Sequence, residues 1–328
     1  AAEALAHASL TGQLPEAATA AWLTALQLKG LTAAELTGIA GAVRGLMVRT
    51  PLPGEGPVLD TGGTGGSGLD TLNTSTMAGL VCAAAGVRVA RQVAPKGRGR
   101  CGAADVLAHL GVNLDLSPAR AQALAEPHPF VVLPQATHHP ALAALDPLRA
   151  AMGLPTVLDV VAPLCNPAGA RHHLIGVADD RLGPLMIQAL KTLGSRRAMV
   201  VHGTTGLDEL ALSSPTRYWE LWDDGSIHKG VLTPEDLGLT RAPFFHMRGG
   251  GPAANAQRFV ALLKGEDDSP AAEHVALNAG AALYVAGVAA DLELGVARAR
   301  SVLTTGAAYA VFDAWRAASH EVPDAAAP

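Results

Sequence analysis

From residue 58 onward, the chain alternates short apolar runs with Ala/Leu-rich stretches of helical period. GPVLD (56–60), GVRVA (86–90), FVVLP (130–134) and RAMVVHG (197–203) have the length of strands. Between them lie helical patterns such as residues 76–85 and 182–193. That alternation predicts an α/β domain with a mostly parallel sheet flanked by helices. The first fifty residues read differently. Thr32-Ala33-Ala34-Glu35 has the form of a capping box, and Leu36, Ile39, Val43, Leu46 and Met47 then repeat at helical spacing. PLPGEGP (51–57) is a breaker-rich linker. It divides a small all-α domain, residues 1–52, from a large α/β domain, residues 53–328. Residues 271–318 read as helical, ahead of an Ala/Pro-rich end.

Composition sharpens this picture. Apolar residues make up 49% of the 328 positions, aromatics only 4%, and Ala and Gly dominate. The core is therefore expected to be built from small aliphatic side chains. Net charge is −5, and the only concentrated basic segment is 96–100, which argues against nucleic acid as a partner. Apolar stretches are broken well short of a membrane span. The opening residues, AAEALAHASL, carry neither a basic n-region nor a long apolar h-region. Cys82, Cys101 and Cys165 have no CxxC spacing, which fits reduced, buried thiols and a cytoplasmic location.

The densest chemical signal is VLDTGGTGGSGLDTLNTST (58–76). Five glycines follow a strand-like lead-in and precede a helix expected to begin near Ser75-Thr76. Glycine clusters cost conformational entropy, so they mark either a tight turn or a place where backbone must approach a ligand. A loop feeding a helix N-terminus offers backbone N–H groups to an anion. Asn73, Ser75 and Thr76 add side-chain groups, and Ser75 could ligate a metal. The segment is neither a Walker A sequence nor a GxGxxG fingerprint. A phosphate cradle and a plain turn both remain open on these residues alone.

GTGGSGLDTLNTST (63–76) resembles the GTGGDG…N-x-ST loop of the anthranilate phosphoribosyltransferases, which share the nucleoside-phosphorylase-type glycosyltransferase fold. The likeness continues in the family's order. QLKGLTAAEL (27–36) is similar to its helical domain and ADVLAHLGVNLDL (104–116) to the segment after its second phosphate loop. Residues 138–177 resemble its acceptor-side helix and GPL-x-NP turn, and VVHGTTGLDEL (200–210) its metal motif. The resemblance implies a helical domain completed by helices from about 138–155, with the active site in the cleft between domains. Phosphoribosyl pyrophosphate would lie on Gly63, Thr64, Gly65, Gly66, Asn73, Ser75 and Thr76, together with cations from the neighbouring loop. Mg²⁺ is the implied cofactor, held by Ser75, Asp208 and Glu209. Such enzymes position substrates and neutralise charge, so no covalent catalytic residue is expected. A homodimer through the helical domain is also implied. Read without the resemblance, Asp208-Glu209 could equally be an acidic pair at a helix start.

One stretch departs from the family. Where the family follows this strand with K-H-G-N-R and then S-x-x-S-K-S-G-x-x-D, this chain has Arg91-Gln92-Val93-Ala94-Pro95 and then KGRGRCGAAD (96–105). Ser67 also replaces the family's Asp. Arg91 can stand in for the lysine as a phosphate-facing cation. Lys96, Arg98 and Arg100 are either a solvated basic loop or part of the anion site. KGRGRCG faintly resembles a loop of the pyrimidine nucleoside phosphorylases. Gln92 and Ala94 fall at acceptor-lining positions, His139 beside the acceptor, and Arg149 where the family's arginine pairs with the acceptor carboxylate. Arg149 could otherwise be a helix-surface residue. His138-His139 lacks a third ligand at zinc spacing. His172, His173 and His202 read as hydrogen-bonded turn or strand-end residues. The reading is phosphoribosyl transfer to an aromatic acceptor, nominally anthranilate. A transferase with another acceptor, a nucleoside phosphorylase and a non-catalytic nucleotide-binding paralogue are the alternatives.

Overall fold

The structure is a computed structural model that describes residues 1–94 and 100–321. Its sheet contains β1 (Val58–Gly63), β2 (Arg88–Val93), β3 (Phe130–Pro134), β4 (His172–Gly176), β5 (Arg197–Gly203), β6 (Thr216–Leu221) and β7 (Ile227–Leu232). They pair in the order β3-β2-β1-β4-β5-β6-β7. The first five are parallel, and β6 and β7 extend the β5 edge antiparallel. All four apolar runs read from the sequence are strands. β4 was not among them, because two histidines interrupt its apolar pattern: His172 opens the strand, while His173 lies inside it, fully buried.

Successive side chains of a strand face opposite sides, and here both sides are covered. Leu174 and Met199 join one core with Leu59 and Val89, while Ile175 and Val200 join a second. The first core is closed by helices Thr74–Ala84, Pro270–Val285, Leu292–Thr304 and Ala307–Glu321. Small residues let these helices touch backbone to backbone. A Cβ on Gly280 would stand 2.5 Å from the amide nitrogen of Val296. An Ala/Gly-rich composition is thus spent on close helix contact rather than on large side chains.

The second core joins the sheet to the helical unit. Leu36, Ile39 and Val43, on the helix Ala33–Leu46, pack with Leu142, Val157 and Val161 and with Ile175 and Val200 of the sheet. The expected cap is present: Thr32 Oγ1 accepts from the Glu35 amide at 3.2 Å, and Glu35 Oε2 accepts from the Thr32 amide at 3.0 Å. Arg44, on the same helix, donates to the carbonyls of Leu164 at 2.8 Å and Leu193 at 2.9 Å. It therefore ties the helical unit to both neighbouring segments.

His173 carries a testable consequence. Burial, with the Arg44 charge adding to it, pushes its pKa down to about 3. The unfolded chain binds a proton near the ordinary value of about 6.5, so folding stability is lost as pH falls from there toward 3. We predict a shallower fall of melting temperature between pH 7 and pH 4 in His173→Leu than in wild type, whatever the variant's absolute stability. Parallel slopes would show that His173 does not drive the acid lability.

Candidate functional site

β1 and β4 are adjacent, but the chain leaves β1 toward β2 and β3 and leaves β4 toward β5. Strand order therefore reverses between them, and the crevice beyond their carboxyl ends is where open α/β sheets bind ligands. Gly63 ends β1 and Gly176 ends β4, paired in register at that point. The glycine-rich loop, residues 64–73, leaves β1 there and feeds the helix Thr74–Ala84, which starts one residue earlier than the sequence suggested.

The loop is anchored at both ends and free in the middle. The Thr64 amide donates to the Gly176 carbonyl at 2.9 Å, and the Leu72 amide to the Met247 carbonyl at 3.1 Å. Between these anchors, the amides of Gly65, Gly66, Ser67 and Gly68 take no backbone acceptor among the described residues. Gly65, Gly66 and Gly68 have φ of 63°, 83° and 67°, the left-handed region that favours glycine. Asn255 braces the loop from the helix Pro252–Lys264, donating to Asn73 Oδ1 at 2.9 Å. Thr76 is fully buried, so its hydroxyl lies inside the helix packing rather than on the loop surface.

The acidic pair lies against this loop. Asp208 and Glu209 are in the connection between β5 and β6, where no helix begins, so the helix-start reading of the pair is set aside. A Cβ on Gly176 would stand 1.7 Å from the Asp208 carbonyl oxygen, so only glycine lets β4 end against this turn. A Cβ on Gly63 would stand 3.5 Å from Asp208 Oδ2, which places that carboxylate at the root of the loop. Burial and the adjacent Glu209 push the Asp208 carboxyl up to about 6, against the opposing effect of the Ser67 hydroxyl. Glu209 Oε2 is 2.6 Å from Nε2 of the fully buried His274, and its Oε1 is 3.5 Å from Thr71 Oγ1. One helical turn beyond His274, Asn278 Oδ1 accepts from the Leu210 amide at 3.0 Å.

Among the described residues, no group of three or more His, Cys, Asp and Glu side chains forms a cage able to hold a metal on its own. The donor set nevertheless fits Mg²⁺. That ion prefers one or two carboxylates supplemented by waters and substrate phosphates, and the Asp208 carboxylate, whose proton affinity is raised by burial and by the adjacent Glu209, is stabilised by a cation.

Arg91 does not project into the loop as a simple phosphate ligand. It is buried, donates from Nη2 to Ser75 Oγ at 2.9 Å, and faces the buried Asp60. Burial pushes Asp60 up, while Arg91, Asn166 and Gln92 act against that shift. Gln92 donates to Asp60 Oδ2 at 3.2 Å and to the Ala162 carbonyl at 3.3 Å, and its Oε1 accepts from His139 Nε2 at 3.0 Å. Burial lowers His139 to about 4, so this ring is neutral. Asn166 completes the chain, donating to Asp60 Oδ2 at 2.7 Å. Gln92 and His139 are thus brought together. Ala94 is exposed just past β2.

Arg149 stands apart from that chain, on the helix Asp146–Met152. It pairs with Asp146 at 2.8 Å and also with Asp159, so two carboxylates already face its guanidinium. Arg100 reaches the glycine loop, with Nε 3.2 Å from Asp70 Oδ2 and its amide bonded to Asp70 Oδ1 at 3.0 Å. Lys96 and Arg98 lie outside the described residues.

The sequence reading did not single out Asp60, Asn166, Asn255, His274 or Asn278. Asp60 had a signal, since an acid within an apolar strand run is a candidate buried charge. His274 and Asn278, spaced i and i+4 in an otherwise apolar helix, had one too.

The glycosyl transferase family α/β-domain model matches residues 55–309, and the family's helical bundle domain model matches residues 1–47. The anthranilate phosphoribosyltransferase of Myxococcus xanthus is 42% identical over 299 residues, covering 91% of this chain and 88% of its own length. The crystal structure of the Thermus thermophilus anthranilate phosphoribosyltransferase superposes with a TM-score of 0.91 at 39% identity, covering 97% of this chain and 94% of that one. The Saccharomyces cerevisiae enzyme, in complex with phosphoribosyl pyrophosphate and Mg, has a TM-score of 0.85 at 24% identity, covering 94% and 86%. That last likeness shows the fold alone.

Proposed function

For a chain that belongs to the anthranilate phosphoribosyltransferase family of glycosyltransferases, we infer phosphoribosyl transfer from phosphoribosyl pyrophosphate to an aromatic amine, nominally anthranilate, as a step of tryptophan biosynthesis. The observation that carries this reading is the glycine loop itself. It leaves the sheet where strand order reverses, with a run of unpaired amides and an acidic pair at its root.

In the transfer, the bond from C1 of the ribose to the pyrophosphate oxygen breaks, and a bond from C1 to the amine nitrogen forms. The amine proton is released, and the electron pair of the broken bond leaves with pyrophosphate. The ribose passes through an oxocarbenium-like state, so catalysis rests on holding the donor and neutralising the leaving group. The amides of residues 65–68 would cradle the phosphates, with Arg100 adding positive charge at the loop's outer edge. Asp208 and Glu209 would hold Mg²⁺, with Ser75 as a further oxygen donor. When bound, the ion supplies charge neutralisation to the pyrophosphate. His274 holds the Glu209 carboxylate in a fixed orientation. Gln92 and His139, neutral and hydrogen-bonded to each other, would border the acceptor.

A homodimer through the helical unit is supported by the exposed Leu5 and Leu28, the latter 83% accessible. A cytoplasmic setting is supported by three free cysteines. Among the described residues, no helix is long and apolar enough to cross a membrane. The test is pyrophosphate release from phosphoribosyl pyrophosphate with Mg²⁺, across a panel of acceptors headed by anthranilate. Acceptor-dependent release supports the reading. No pyrophosphate release with any acceptor, together with phosphate-dependent release of the free base from a nucleoside, would assign a phosphorylase instead.

A further inference from the structure

The amino ends of β1, β4 and β5, opposite the catalytic crevice, open on a second cavity of about 520 Å³. Arg171, His172, Arg196 and Arg197 line it, with Asp223 as its carboxylate. The catalytic reading uses none of these residues. β1 alone separates Val58, at this cavity, from Gly63 by roughly 17 Å. We propose that this cavity is a binding site for a small phosphate-bearing molecule, distinct from the donor and acceptor positions.

Three guanidinium groups around one opening, balanced by one carboxylate, repel one another until an anion enters. They concentrate positive charge on a chain whose net charge is −5. Each is also held from one side. Arg171 Nε donates to the Gly194 carbonyl at 2.9 Å, and Arg196 Nε donates to Asp223 Oδ1 at 2.6 Å. Arg197 lies 4.7 Å from the centre of the Tyr284 ring. The terminal nitrogens of Arg171 and Arg196 have no acceptor among the described residues. Guanidiniums that are oriented and still own free N–H groups suit the oxygens of a phosphate, which they bind in forked pairs.

The walls are built for close approach. Gly56, Gly169 and Gly287 line the cavity with φ of 94°, 68° and 74°, so backbone rather than side chains forms those surfaces. Arg88, which opens β2, fixes one wall by donating to the Gly56 carbonyl at 2.6 Å. His172 Nδ1 is buried without a hydrogen-bond partner. The volume lies within the ordinary range of small-molecule sites, about 300–1,000 Å³. It accommodates a phosphate together with the group that carries it.

The test is calorimetric titration of the full chain, without Mg²⁺, using ribose 5-phosphate and, separately, inorganic phosphate. Wild type is compared with Arg171→Gln/Arg196→Gln, in which both exchanged side chains are exposed. Any anion binding at the catalytic loop is common to both proteins and cancels. We expect a binding event in wild type that weakens at least about tenfold in the variant, while phosphoribosyl transfer stays unchanged. Tighter binding of ribose 5-phosphate identifies an organic phosphate as the natural occupant, and equal affinity identifies free phosphate. Identical isotherms in the two proteins, or no binding in wild type, overturns the proposal.

Discussion

Replacing Asp208 by Asn together with Glu209 by Gln is expected to lower Mg²⁺-dependent turnover by at least about 10³-fold, the scale on which preorganised charge stabilisation acts. Folding should survive the change. Both residues are half-buried, outside the apolar cores, and the amides keep their size. The Asp208 carboxyl is pushed up to about 6 by burial and by Glu209, so its ionised form works against the fold near neutral pH. Removing both charges should leave the melting temperature unchanged or slightly raised. Kinetics and thermal melting of the same preparation check this. Turnover within about threefold of wild type would remove the pair from the account, and collapse of the fold would reassign it to structure.

The second large effect concerns the acceptor. Gln92, Val93, Ala94 and Pro95 stand where the family carries His, Gly, Asn and Arg, and Arg149 is faced by both Asp146 and Asp159. A pocket discriminates through hydrogen bonds that leave costly unmatched groups when a partner is lost. Each missing bond costs about 1–3 kcal/mol, or roughly ten- to a hundredfold in kcat/KM. Changing the four residues to His, Gly, Asn and Arg is therefore predicted to raise kcat/KM for anthranilate at least tenfold. KM for phosphoribosyl pyrophosphate should move little, because the amides and the acidic pair are untouched. The Gln92→His exchange also alters the link to Asp60 and His139, so stability is measured alongside. An unchanged or lower kcat/KM in a folded variant would show that this segment does not set acceptor efficiency.

Both predictions concern residues whose legibility in the sequence differed for physical reasons. The glycine loop and the acidic pair were readable because their chemistry is local: consecutive residues supply the amides and the charges. β1, β2, β3 and β5 were readable because strands buried on both faces are continuous apolar runs. β6 (TRYWEL) and β7 (IHKGVL) were not, since they form an antiparallel edge whose polar residues blur the alternation. The polar chain through Asp60, Gln92, His139 and Asn166 was also hidden. Its members lie far apart in sequence, and only the sheet and the helical unit together bring them into contact. Arg149 shows the limit most clearly. Its position could be matched to a motif, but its two carboxylate partners became visible only in the fold.

The central claim is that the unpaired amides of residues 65–68 hold the phosphates of the donor beside the acidic pair. Residue-resolved hydrogen exchange on the intact protein, with phosphoribosyl pyrophosphate and Mg²⁺ added together, reads those amides directly. The account predicts that exchange at Gly65, Gly66, Ser67 and Gly68 slows at least tenfold when both are present, and that Asp208→Asn/Glu209→Gln abolishes most of this protection. Unchanged exchange in that segment, with protection appearing elsewhere in the chain at saturating donor, would contradict it.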